Sequence, residues 1–139
     1  MEVTKAIRST PGRTRTVYPL SDPAKIAEKY LDPNFAVTTK EESNIASARR
    51  WDKFKWDPSN KKDPHYSEKA MKVGEAAVEE LLVEVVGLTN NGEPIDLETI
   101  KRDRLLTNIS VYTTDDEVKS LWTLTQDAID EQKKEEAGN

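Results

Sequence analysis

Residues 81–106, LLVEVVGLTNNGEPIDLETIKRDRLL, open on an apolar run, pass through Asn90-Asn91-Gly92, and resume as a mixed apolar and charged segment. The preceding residues set how this stretch is read. From Ser67 to about Val86, Ala70, Met71, Val73, Ala77, Val78, Leu81, Leu82, Val85 and Val86 recur at intervals of three and four, while Glu68, Glu75, Glu79, Glu80 and Glu84 lie mostly off that stripe. The spacing predicts one long amphipathic helix with Ser67 as its cap. Gly87 or the Asn90-Asn91-Gly92 turn ends it, because Asn and Gly tolerate the left-handed backbone that a helix stop needs. Pro94 delays re-entry, and a further helix is expected from about Leu97 to Ile109, with Leu97, Ile100, Leu105 and Ile109 toward the core. Thr114 and Glu117 then have capping-box spacing, leading into Val118, Leu121, Trp122, Thr125, Ala128 and Ile129. On this reading residues 87–96 are a helix-helix connection, and Trp122 fills the space between helices.

Working outward, Ser21 or Asp22 followed by Pro23 starts a helix carrying Ile26, Tyr30 and Leu31, which Asp32-Pro33 stops. Another helix is expected from about Lys40 to Phe54, with Glu41 and Glu42 in its first turn and Arg49, Arg50 and Lys53 near its end, the order the helix dipole favours. Two Asp-Pro steps make residues 56–66 a loop. Residues 1–20 read as a basic extended arm or short hairpin, residues 21–132 as a helical domain, and residues 133–139 as a disordered acidic tail. The expected fold is mainly α: a small bundle of four to five helices.

Composition narrows the function. A chain of 139 residues is the size of one domain, and 35% hydrophobic against 34% charged residues leave only a modest core. The formal charge of −5 argues against a protein that mainly coats nucleic acid. With no cysteine, disulfides, thiolate metal sites and a Cys nucleophile are excluded. The first 20 residues lack the apolar core of a signal peptide, and no apolar run approaches the roughly 20 residues that span a bilayer, so a soluble intracellular protein is expected.

No catalytic signature is present. His65 is the sole histidine, in a Lys-Lys-Asp-Pro-His-Tyr loop, and reads as an exposed loop residue. The carboxylate pairs Glu41/Glu42, Glu79/Glu80, Asp115/Asp116 and Glu135/Glu136 lie where helix starts or solvated faces place them. No phosphate-binding glycine loop or calcium loop occurs, so no cofactor and no metal are expected. One segment departs from this pattern. Residues 48–66 interleave Trp51, Phe54, Trp56 and Tyr66 with Arg49, Arg50, Lys53, Lys55, Lys61 and Lys62. Three readings apply: Trp51 and Phe54 packing inward on one helix face, an aromatic and Arg anchor surface for a protein partner, or a base-stacking, phosphate-binding surface.

Residues 66–128, less than half the chain, resemble the small tail assembly chaperones of long-tailed, siphovirus-like bacteriophages. The likeness rests on the amphipathic helix with its apolar end, the Asn91-Gly92-Glu93-Pro94 turn, and the segment from Glu117 to Trp122. It implies a non-enzymatic role in virion morphogenesis: holding the tape measure protein and recruiting tail tube subunits in the host cell cytoplasm, then being absent from the mature virion. A homo-oligomer fits such a role, and the partner surface would involve Trp51, Phe54, Trp56, Tyr66, Arg49 and Arg50. Relatives are often made in two lengths by a frameshift, and Gln132-Lys133-Lys134 can be encoded by a slippery run. The alternatives are a small nucleic-acid-binding regulator using residues 48–66, a virion structural or interaction protein, and, ranked last, an enzyme built on His65.

Overall fold

A computed structural model describes residues 11–22 and 34–138. Among these the order is β1 (Thr14–Val17), β2 (Ala36–Lys40), α1 (Asn44–Lys53), α2 (Tyr66–Leu81), β3 (Leu82–Val86), β4 (Thr89–Asn90), β5 (Glu93–Pro94), α3 (Leu97–Arg102), α4 (Leu105–Asn108), β6 (Ser110–Tyr112), β7 (Val118–Ser120) and α5 (Leu121–Gly138). The fold is therefore mixed, with three small antiparallel sheets beside the helices, and not the mainly α bundle expected. The helix expected from Ser21 to Leu31 lies outside the described residues from position 23 onward, as do residues 1–10 of the arm.

The largest correction falls in the opening stretch. The long helix stops at Leu81, and Leu82 turns extended with φ −70° and ψ 126°. Leu82-Val83-Glu84-Val85-Val86 then pairs with β2, itself rich in β-branched residues as Ala-Val-Thr-Thr-Lys. Three valines in five residues lose side-chain freedom in a helix and pack well on a pleated surface, so pairing outweighs the three-four spacing. Asn91 and Gly92, at φ 52° and 83°, close a two-residue hairpin between β4 and β5. Positive φ at both central residues is the turn that matches strand twist, and Asn-Gly is its preferred sequence. The segment is a strand followed by a hairpin, not a helix-helix connection.

Three further expected helices are corrected. Residues 97–109 divide into α3 and α4 at Arg104, which is left-handed at φ 55°. The helix expected over residues 40–54 begins at Asn44, with Ser43 accepting the Ala46 N–H at 3.2 Å, because Lys40 belongs to β2. Thr114 and Glu117 form no helix cap. They lie in the β6–β7 hairpin, where the Asp116 N–H meets the Thr113 carbonyl and Asp116 is left-handed at φ 61°. That is a three-residue loop with a bulge, which Asp tolerates. Helix α5 starts afterwards, its Thr123 N–H bonded to Ser120 Oγ at 3.1 Å, and runs through the residues expected to be a disordered tail.

Sheet β1-β2-β3 turns Val37 and Leu82 inward, into one cluster with Ala77 and Val78 of α2, Leu106 of α4, and Leu121, Trp122 and Leu124 of α5, and Val17 of β1 is buried as well. Trp122 of α5 is buried against α2 at Gly74, in a core shared with the sheet and not in the helical bundle expected. A Cβ at Gly74 would lie 3.4 Å from the Trp122 ring, so the glycine lets α2 approach that ring closely. No helix among the described residues is long and apolar enough to cross a membrane.

Two glycines separate conformation from crowding. Both Gly87 and Gly92 have positive φ, but a Cβ at Gly92 meets nothing within 4 Å, while one at Gly87 falls 2.9 Å from the Phe35 backbone. Gly92→Ala is expected to cost about 1 kcal/mol, the left-handed penalty alone. Gly87→Ala, which must also move β2, should cost at least about 2 kcal/mol in urea denaturation midpoints converted at constant m.

Candidate aromatic and basic interface

The residues of the basic aromatic segment come together where α1 turns toward α2. Helix α1 ends in a Schellman motif: the Trp56 N–H reaches the Trp51 carbonyl at 2.9 Å, the Lys55 N–H reaches the Asp52 carbonyl at 3.0 Å, and Lys55 is left-handed at φ 55°. Such a motif favours an apolar contact between the residues Trp51 and Trp56 occupy. Their rings do meet, edge to face, with centroids 5.8 Å apart and planes at 88°. Trp56 also packs on Tyr66, at 5.8 Å and 52°, and Tyr66 Oη donates to the Pro58 carbonyl at 3.1 Å. The loop over residues 56–66 is thus folded on its own aromatic ends.

Exposure divides these aromatics. Trp51 presents an exposed ring, 38% accessible, whereas Phe54, Trp56 and Tyr66 are half-buried. Trp56 Nε1 is buried without a hydrogen-bond partner, which raises the cost of keeping a Trp there. Arg49 is exposed on the same turn of α1 as Trp51. Arg50, one residue on, is buried and occupied. Its Nη1 and Nη2 donate to the two oxygens of Glu42 at 2.7 and 2.6 Å, and Nη2 also donates to Glu80 of α2 at 2.6 Å. The six sequence candidates therefore form one elbow, with Arg50 as its internal brace and Trp51 and Arg49 facing solvent.

Sequence reasoning missed the second wall of the elbow. Lys53, Phe54, Lys55, His65, Lys69 and Lys72, with Glu68, line an open groove of about 430 Å³ between the end of α1 and the first turns of α2. Lys69 is held by Asp63 at 2.6 Å, which keeps the Asp63 carboxyl below its ordinary value, and Lys72 pairs with Glu68 at 3.3 Å. Residues 49–72 carry eight Lys or Arg against four Asp or Glu, in a chain whose totals are 21 against 26. The elbow is thus a local basic face on an acidic protein. The i, i+3 spacing of Lys69 and Lys72 on the polar side of α2 was the available signal.

A second buried arginine lies away from the elbow. Arg15 of β1 donates from Nε to Glu41 at 2.8 Å and from Nη1 to Glu136 of α5 at 2.8 Å, and it also bonds Gln132. It ties the last turns of α5 to the sheet. Among the described residues no group of three or more His, Asp or Glu is placed to hold a metal ion. His65 is exposed, 3.6 Å from Glu68. Comparison with family models, curated proteins and solved structures gives no match.

The ion pairs set an acid limit. Burial alone would raise the Glu42 carboxyl, but hydrogen bonds from Arg50 and Ser47 bring it below its ordinary 4.5; Glu136 is lowered from 4.5 by Arg15. Groups depressed in the folded state stabilise it above their unfolded values, and that contribution disappears as the pH falls through the folded ones. Denaturation midpoints should change little between pH about 7 and 5 and fall below pH about 4.5, with Glu42→Gln starting lower and falling less. At neutral pH, Arg15→Met leaves Glu41 buried and unpaired by that arginine and should cost about 3 kcal/mol; Glu136→Gln, at the exposed end of the network, should cost less.

Proposed function

We propose that this chain is a polypeptide-binding protein that works without turnover, and specifically a tail assembly chaperone that holds the tape measure protein and recruits tail tube subunits in the host cytoplasm. The general form rests on the elbow: an exposed Trp51 set by a helix-capping motif, beside Arg49 and a groove of lysines. Exposed Trp with Arg is the composition of an interface anchor. The specific form rests on the sequence likeness over residues 66–128 alone.

Ring geometry favours a protein partner over single-stranded nucleic acid. Stacked bases need aromatic faces presented in series. Here Trp51 meets Trp56 at 88° and Trp56 meets Tyr66 at 52°, so the rings close on one another and leave Trp51 exposed. Asp52, Asp57 and Asp63 also interrupt the basic residues, which disfavours a continuous phosphate backbone and suits a partner of mixed charge.

Co-expression tests the reading. The native chain should keep a tape measure protein soluble and co-purify with it and with tube subunits. Trp51→Ala, on an exposed ring, should retain the native circular dichroism yet weaken that binding by about thirtyfold, the loss typical of an interface tryptophan. Binding unchanged in Trp51→Ala removes the elbow from the partner surface. A native chain that binds neither protein removes the chaperone assignment.

A further inference from the structure

The described part of the molecule carries a second open cleft, of about 570 Å³, on elements the elbow does not use. Its apolar lining comes from Val17 at the end of β1, Tyr18 and Pro19 after it, and Leu124 and Ala128 of α5. Its rim is acidic: Asp115 in the β6–β7 loop, and Asp127, Asp130 and Glu135 along α5, against Lys119 and Lys134. Asp127 is engaged by Lys119 at 3.1 Å, while Asp130 and Glu135 are exposed. The two surfaces are complementary. One is a basic elbow projecting an exposed tryptophan; the other is an acidic cleft with a partly apolar lining and a half-exposed Tyr18, 55% accessible.

They share no lining residue. The elbow belongs to α1, the following loop and the start of α2, whereas the cleft belongs to the end of β1, the β6–β7 hairpin and α5. One copy therefore presents both halves of a contact on separate surfaces, which is the arrangement of a heterologous, head-to-tail interface. We propose that the basic elbow of one copy docks into the acidic cleft of a second copy, with Trp51 over the apolar lining and Lys53 and Lys72 facing Asp130 and Glu135.

The inference stands on the opposite charge of the two linings and on the exposed Trp51, and does not depend on the identity of any other partner. It does bear on the elbow's availability, because self-docking covers Trp51 until a tighter partner displaces it. Complementary charge across such a contact is screened by salt, and like charge placed opposite opposes it. A head-to-tail contact also leaves each docked pair with one free elbow and one free cleft, so assembly continues unless a face is removed.

That property gives the test, by sedimentation velocity on the full chain without other proteins. The native chain is expected to grow beyond a dimer as concentration rises, and association should weaken at least about tenfold between about 50 mM and about 500 mM salt. Lys53→Glu with Lys72→Glu spoils the elbow and keeps the cleft; Asp130→Lys with Glu135→Lys spoils the cleft and keeps the elbow. Each double variant alone, checked for native circular dichroism, should be monomeric at concentrations where the native chain associates. Mixed, they should associate again, since one intact elbow and one intact cleft remain and the two reversed faces, an acidic elbow and a basic cleft, are also opposite in charge. A native chain that stays monomeric at about 100 μM in low salt, below the range of even weak specific association, overturns the proposal. So does a dimer that survives both double variants, or a mixture that stays monomeric. A monomeric native chain that binds a poly-glutamate peptide or an oligothymidine through Lys53 and Lys72 assigns the elbow to a foreign polyanion and overturns it as well.

Discussion

Arg50 reaches from α1 to carboxylates on two sides, Glu42 before the helix and Glu80 near the end of α2, and the geometry of the elbow depends on that reach. A buried guanidinium is tolerated when its charge is paired with good geometry, and the bidentate pair with Glu42 supplies that, while Nε is buried without a hydrogen-bond partner. The brace fixes the rotation of α1 about its own axis. Once Arg50 points inward, Trp51 and Lys53 are carried to the outer side of the helix end, and the chain must reverse to reach α2. The Schellman motif performs that reversal and brings Trp56 back onto Trp51. An aromatic cluster made this way is sequence-local, so it needs little from the sheet beyond a fixed α2.

The sheet supplies that fixed point. Helix α2 runs without interruption into β3, so the strand pairing of Leu82–Val86 with β2 anchors one end of the helix while the elbow occupies the other. Gly74 lets the middle of α2 lie close to Trp122 of α5, and Arg15 clasps the far end of α5 to β1 and Glu41. Two buried arginines thus do different work. Arg50 sets the local shape of the elbow, and Arg15 closes the remainder of the molecule by joining a helix end to a strand.

The clustering of the candidate residues was more legible in the sequence than the fold. Trp51, Phe54, Trp56 and Tyr66 with Arg49 and Arg50 are near neighbours in the chain, and proximity in sequence brought them together whatever the larger architecture. What proximity could not show was the split between Arg50, taken inward by carboxylates 8 and 30 residues away, and Arg49, left outside. The fold was misread where local spacing and long-range pairing disagree. Leu81, Leu82, Val85 and Val86 continue a helical stripe, but strand β2 lies more than 40 residues upstream and its demand for a partner is invisible in a window of that stripe. Asn91-Gly92 fits a helix stop and a hairpin turn equally, and the pairing of Thr89–Asn90 with Glu93–Pro94 decides for the hairpin. Thr114 to Glu117 has capping-box spacing and hairpin-loop composition at once, and the pairing of Ser110–Tyr112 with Val118–Ser120 decides between them.

Lys55 connects the fold back to function. The left-handed residue of a Schellman motif is usually glycine, and a lysine there costs roughly 1 kcal/mol of backbone energy. Nothing in its packing returns that cost, since the side chain is exposed at the mouth of the groove. What the lysine adds is a positive charge beside Lys53, Lys69 and Lys72, where mutual repulsion already disfavours crowding like charges. The repulsion opposes the folded state of an isolated chain and is relieved when an acidic surface covers the groove, whereas the backbone cost is the same in both states. On the proposed reading, the groove's concentration of one sign of charge is what a partner surface would neutralise.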